Sequence, residues 1–123
     1  MNIADVITRH ARATPQAIAV AERDHEWSYL EFDRAIWRAA ALFRERGLAP
    51  GDMVGVSMAS SALHLVVGYA LARLGAIQIS LPLRESASVS EGLARRFRCA
   101  AVIADGDADA AWLDEEQEAD HDE

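Results

Sequence analysis

The chain has 123 residues, 51% of them hydrophobic, which suits a single modest core and excludes a large multidomain assembly. Twenty acidic residues face twelve basic ones, for a net charge of −8, so nucleic acid is a poor partner and none is expected. All twelve basic residues are arginine, which leaves no residue here for a Schiff base or a lysine clamp on a phosphate.

Asn2 is placed to cap a helix from Ile3, with Ile3, Val6, Ile7 and Ala11 at helical spacing. Thr14-Pro15 stops it, because proline disfavours helix in the residue before it. Ala17 to Ala21 alternates through Ile18 and Val20, polar Glu22 to His25 follows, and Glu26-Trp27 is extended again, which predicts a small hairpin. Ser28-Tyr29-Leu30-Glu31 is a capping box in which the serine hydroxyl accepts from the Glu31 N–H and the glutamate reaches back to Ser28. The helix it opens carries Tyr29, Phe32, Ile36, Ala39, Ala40 and Phe43 on one stripe, with Glu31, Arg34, Arg38 and Glu45 off it. Gly47 offers the left-handed cap, and Pro50-Gly51-Asp52 makes a turn.

Met53 to Met58 reads as a strand, and Ser60 is placed to cap the next helix. Leu63, Val66, Val67, Ala70, Leu71 and Leu74 make that helix apolar on most sides, as a buried helix would be, before Gly75 ends it. Ile77, Ile79 and Leu81 form a second strand closed by Pro82, Ser88 to Glu91 is a further capping box, and Ala101 to Ala104 is a third strand. Strands separated by helices of this length require right-handed crossovers, so the fold class is α/β, a partial, mostly parallel sheet with helices packed on it. Residues 63–83 call for covering on more sides than these residues supply, which implies part of a larger domain.

Half of the acids, ten of them, lie in residues 105–123 with no arginine, so the other ten face twelve arginines in residues 1–104. The chain thus divides into a body, 1–104, and an acidic tail, 105–123, expected to be disordered. One cysteine, Cys99, excludes an internal disulfide and a thiolate metal site and fits a reducing, cytoplasmic compartment. The first five residues do not look like a secretory signal. The run Leu63 to Leu83 is broken by His64, Arg73 and Gly75, short of the ~20 clean apolar residues of a membrane span.

Four segments in register resemble the extreme N-terminal part of the adenylate-forming (AMP-binding) ligases: acyl-CoA synthetases, luciferase and the adenylation domains of nonribosomal peptide synthetases. They are Asn2-Ile3-Ala4-Asp5 with Thr14-Pro15; Trp27 to Phe32, similar to the family's first core motif; Gly47 to Val54; and Leu71 to Ile77 leading to Leu81-Pro82-Leu83, similar to the second. The likeness covers residues 2–104. Within it Trp27 and Phe32 replace commoner leucines, Arg73 stands where lysine is frequent, and Ala59-Ser60-Ser61 replaces an asparagine-serine pair. The resemblance implies a parent reaction in which ATP and a carboxylate give an acyl-adenylate and pyrophosphate, after which the acyl group passes to a thiol such as coenzyme A. It implies ATP, magnesium and coenzyme A as the parent family's cofactors. The family's phosphate-gripping loop, adenine-contacting segment, ribose-binding aspartate and late lysine have no counterpart in these residues. No catalytic, cofactor-binding or metal role is therefore assigned to any position, and this chain alone is expected to be non-catalytic.

Other constellations are weaker. Gly55-Val56-Ser57-Met58-Ala59, followed by Asp105 and His121, partly mimics a hydrolase elbow but lacks its last glycine. Asp105, Asp107 and Asp109 with Glu116 imitate a calcium loop, yet Ala110 stands where the sharp turn needs glycine and Leu113 offers no ligand. His10, His25, His64 and His121 are scattered, which gives zinc no support. Cys99 reads as a small buried residue, Trp27 and Trp37 as core or interface, Trp112 as an isolated apolar residue, and Arg95, Arg96 and Arg98 as a solvated helix face. Two functions follow: an N-terminal portion of a ligase that works with the remainder of its domain, or a standalone binding module on the same scaffold acting on a protein partner.

Overall fold

Asn2 fixes where the chain turns helical. Its Oδ1 accepts from the Ala4 N–H at 2.9 Å, satisfying one of the donors that a helix start leaves unpaired. The computed structural model describes residues 2–59, 61–81, 92–93 and 95–104. Its elements are α1 (Ala4–Ala13), β1 (Ile18–Ala21), β2 (Glu26–Ser28), α2 (Tyr29–Glu45), β3 (Met53–Ser57), α3 (Ala62–Leu74), β4 (Ile77–Ser80) and β5 (Ala101–Ala104). The body thus has the expected order, while the tail and the Ser88 to Glu91 box lie outside the described residues.

β1 and β2 form the expected antiparallel hairpin, with an irregularity between Ile18 and Val20. The capping box is present in both halves: the Ser28 Oγ accepts from the Glu31 N–H at 3.1 Å, and Glu31 Oε1 accepts from the Ser28 N–H at 2.9 Å. Phe32, Ile36, Ala39, Ala40 and Phe43 are buried as their spacing requires. Arg38 departs from the expectation of an exposed flank: it is only 8% exposed, and Asp33 only 5%. The reason is that α2 packs against α1, α3 and the hairpin together, so more of its circumference is enclosed than one stripe predicts.

The two long helices end alike. Gly47 at φ 94° and Gly75 at φ 79° take the left-handed conformation. The Gly47 N–H then reaches the Arg44 carbonyl while Leu48 N–H reaches Phe43, and Gly75 and Ala76 repeat the pattern on Ala72 and Leu71, the double bond of a Schellman cap. The Gly51 N–H donates to the Gly75 carbonyl at 2.9 Å and Ile77 N–H to Asp52 at 2.8 Å, so the turn that launches β3 is bonded to the turn that launches β4.

α3 is capped by Ser61, not Ser60. Ser61 is the extended residue directly before the first helical one, at φ −167° and ψ 172°, and its Oγ accepts from the His64 N–H at 3.2 Å. Glu22 Oε2 accepts from the Ala62 N–H at 3.0 Å while its Oε1 accepts from Trp27 Nε1 at 3.2 Å, tying the hairpin to this helix start. Val66, Val67, Ala70 and Leu71 are buried, but Leu65 is 46% exposed, so α3 is less enclosed than its composition predicts.

The main sheet is parallel, in the order β4-β3-β5. Residues in register share a face. Val54 and Val56 of β3 and Ile103 of β5 lie in the same buried cluster as α2 and α3. The other face carries the registered sets Met53 with Ile77, Gly55 with Ile79 and Val102, and Ser57 with Ala104. Leu81 is buried and its N–H extends the ladder to the Val56 carbonyl at 2.8 Å, although the strand ends at Ser80. A Cβ on Gly55 would meet Leu81 Cδ1 at 2.7 Å and Cys99 Sγ at 3.5 Å, so these two side chains roof the centre of that face. Around them Ile77 is 48% and Val102 45% exposed.

Two stability predictions follow. Ser28→Ala removes half of the capping box and is expected to cost about 1 kcal/mol, read from the chemical-denaturation midpoint. Gly75→Ala puts a Cβ on a left-handed backbone and is expected to cost about 1–2 kcal/mol in the same assay; an unchanged midpoint would remove Gly75 as the helix stop.

Candidate functional site

A connected polar constellation lies where α1 packs against α2 and α3. Arg73, in the last turn of an otherwise apolar helix, is carried inward so that its side chain is only 11% exposed. Its Nη2 donates to the Ala4 carbonyl at 3.0 Å and to Thr8 Oγ1 at 2.7 Å. Thr8 in turn donates to Asp33 Oδ1 at 2.7 Å. Asp5 Oδ1 lies 3.6 Å from Arg73 Nη1, and the guanidinium sits 4.1 Å above the Trp37 ring. Asn2 Nδ2 adds a bond to the Ala72 carbonyl. The planar fork and the stacking suit arginine and not lysine. The sequence marks Arg73 only as an arginine where lysine is frequent; the further signal is a lone arginine in an apolar helix, with Trp37 in the neighbouring helix.

A depression of about 340 Å³ beside this cluster is lined by Asp5, Thr8, Arg9, Arg12, Trp37 and Arg73. It holds two further arginines, but Arg73 is committed to the chain's own oxygens. The cluster acts as a clasp, joining α1, α2 and α3 through Arg73, Thr8 and Asp33.

The other sequence candidates are kept apart. Ser57 is the last residue of β3, in register with Ala104, and so stands in a ladder and not on a strained elbow. His10 stacks on Tyr29 at 4.9 Å, His25 lies edge-on to Trp27 at 5.3 Å and 4.0 Å from Glu31, and His64 sits in the first turn of α3. No group of three or more His, Cys, Asp or Glu residues is disposed around a metal position among the described residues. Cys99 is partly exposed, less buried than expected, and Arg95, Arg96 and Arg98 are exposed. Trp27 is core and Trp37 partly buried under Arg73. Asp105, Asp107, Asp109, Glu116, Trp112 and His121 lie outside the described residues.

A phosphate cradle needs successive N–H groups at a helix N-terminus or in a glycine-rich nest. Here Gly47 and Gly75, with their positive φ, lie at helix C-termini, where the helix presents carbonyl oxygens, and Gly51 lies in the turn bonded to Gly75.

The scaffold is nevertheless diagnostic. The sequence profile described as "AMP-binding enzyme" matches residues 7–123. The chain belongs to the AMP-binding enzyme family. It is 36% identical over 78 residues to the malformin synthetase mlfA of Aspergillus kawachii, a stretch that is 63% of this chain and 2% of that protein. It is 27% identical over 101 residues, 82% of this chain and 1% of that protein, to the nonribosomal peptide synthetase vlms of a Lecanicillium species. Among solved structures, the nonribosomal peptide synthetase FmoA3 superposes with a TM-score of 0.79 at 25% identity over 85% of this chain and 11% of that one. The N-terminal subdomain of Klebsiella oxytoca NpsA, bound to anthranilyl-AMSN, superposes with a TM-score of 0.76 at 17% identity, over 85% of this chain and 27% of that one. The chain therefore spans a small part of each relative, and the expected α/β class and N-terminal placement hold. No helix among the described residues is long and apolar enough to cross a membrane.

Arg73→Lys keeps the charge but loses the fork and the stack. It is expected to destabilise the chain by about 1–2 kcal/mol, measured by thermal or urea unfolding, whereas a surface-neutral role would leave stability unchanged.

Proposed function

We propose that the chain supplies the N-terminal scaffold of an ATP-dependent domain that activates a carboxylate as its acyl-adenylate and hands the acyl group to a thiol, and that by itself it catalyses neither step. The observation that carries this reading is the family match over residues 7–123. The names of the relatives, malformin synthetase and the nonribosomal peptide synthetases vlms and FmoA3, favour the peptide-synthetase branch over acyl-CoA synthetases. ATP, magnesium and the thiol are assigned to the remainder of the domain, because these 123 residues hold no lysine and their positive-φ glycines at helix ends lie at C-termini. Its single cysteine supports a reducing, cytoplasmic setting.

Within such a domain the chain's residues position and do not react. The capping box sets the start of α2, the Arg73 clasp fixes α1 across α2 and α3, and Gly75 delivers β4 into register with β3.

Carboxylate-dependent exchange of pyrophosphate into ATP tests the reading. The purified chain is expected to show no exchange above buffer, and exchange is expected on adding the remainder of the malformin synthetase adenylation domain as a separate polypeptide. Exchange by the chain alone would overturn the assignment of chemistry to the remainder; none in the mixture would count against the scaffold role.

A further inference from the structure

The hairpin and the start of α2 border a cavity of about 560 Å³. From α2 it takes Leu30, Arg34 and Arg38, which recur at a spacing of four and so stack along one side of the helix. Arg38 is only 8% exposed although it lines the cavity, and Arg34 is partly buried. Glu31 is the carboxylate on this wall among the described residues. Its Oε1 accepts from the Ser28 N–H at 2.9 Å, and its Oε2 lies 4.0 Å from His25 Nε2. The wall thus sets two guanidiniums against one carboxylate that already has partners.

The main-chain donors at the start of α2 are taken. The N–H groups of Tyr29, Leu30 and Glu31 donate to the Ala17 carbonyl, the Pro15 carbonyl and Ser28 Oγ. The cavity therefore offers an anion side chains and not a helix start. The same bonds hold residues 15–17, and with them Gln16 of the lining, against the first turn of α2. On the hairpin side Trp27 Nε1 donates to Glu22 Oε1 at 3.2 Å, and the indole meets the His25 and Phe32 rings edge-on at 5.3 and 6.2 Å. Trp27 is thereby fixed as an apolar part of the wall, to which Leu30 adds.

We propose that this cavity binds a phosphate monoester carrying a compact apolar or aromatic group, gripped by Arg34 and Arg38. A guanidinium fork matches carboxylate and phosphate alike, so the pairing of cations decides between them. A carboxylate is satisfied by a single fork, whereas a phosphate monoester has the greater charge and terminal oxygens enough for both arginines. The enclosure of Arg38 strengthens the pair, because less water competes for it. Trp27 and Leu30 give the apolar group a surface to lie on, and the bonds that already hold the hairpin and Gln16 leave little to be ordered on binding. The site does not depend on the scaffold role and stands or falls apart from it.

Phenyl phosphate titrated into the 123-residue chain and followed by calorimetry tests the assignment, with inorganic phosphate and benzoate separating the contribution of the apolar group from that of the anion. Phenyl phosphate is expected to bind saturably, and the other two at least about fivefold more weakly. Arg34→Gln is expected to weaken phenyl phosphate binding by at least about tenfold. Arg38→Gln is expected to do the same; it removes an enclosed charge, so its folding is checked by circular dichroism, and Arg34→Gln at its partly exposed position keeps the test decisive if that variant does not fold. Arg9→Gln makes the same charge change on α1, beside the other depression, and is expected to alter binding by less than about twofold. Absence of saturable binding, a loss in Arg9→Gln as large as in Arg34→Gln, or benzoate or inorganic phosphate bound as tightly as phenyl phosphate would each overturn the proposal.

Discussion

Two parallel strands cannot be joined by a tight turn, so β3 and β4 require an element between them long enough to carry the chain back across the sheet. α3 is that element, and the remaining architecture is arranged around keeping it in place. Its start is held by Ser61 and by Glu22 reaching over from the hairpin, and its end by Gly75. The Gly51–Gly75 and Asp52–Ile77 bonds then lock the launch points of both strands together. β3 is left as the central strand, bonded on both sides, with its valines facing the helices.

Arg73 shows how a charge can be placed at a helix crossing that apolar contact alone would leave loosely specified. Burying a guanidinium is unfavourable unless its donors are met. Here Nη2 is met by a main-chain carbonyl and by a hydroxyl relayed to Asp33, Nη1 lies 3.6 Å from a carboxylate and the guanidinium stacks on an aromatic face, while the buried Nε has no hydrogen-bond partner. Such an arrangement accepts one relative position of α1, α2 and α3, whereas leucine and alanine side chains would accept several. The small apolar contribution of α1, chiefly Ala4, Ile7 and Ala11, makes that directional contribution matter more.

The segments through which the chain resembles its family have conformational roles in this structure. The motifs that mark it as an AMP-binding enzyme are the ones that cap helices and end them: Ser28 and Glu31, and Gly75 after Arg73. They govern where strands and helices begin and so are conformational in their chemistry. A segment of such a domain is therefore recognisable by its helix caps and stops.

Local chemistry made much of this legible in the sequence. The capping box, the two glycine stops, the hairpin and the alternation of helix and strand depend on residues within a turn of one another, where hydrogen-bonding rules are short-ranged. The family resemblance was legible for the same reason, since its motifs are those local signals in order. What the sequence left open were matters of neighbourhood. It did not show that Arg38 and Asp33 are enclosed, that Leu65 is exposed, that Ser61 and not Ser60 caps α3, or that Arg73 gathers Thr8, Asp5 and Trp37. Burial and pairing depend on what packs alongside, over separations of up to 69 residues for the Arg73–Ala4 bond, and no local pattern encodes that distance. The residue order thus determined which elements form and, to within a residue or two, where they start and stop; only the tertiary structure decided which faces meet, because apolar burial and shared hydrogen bonds are settled between elements and not within them.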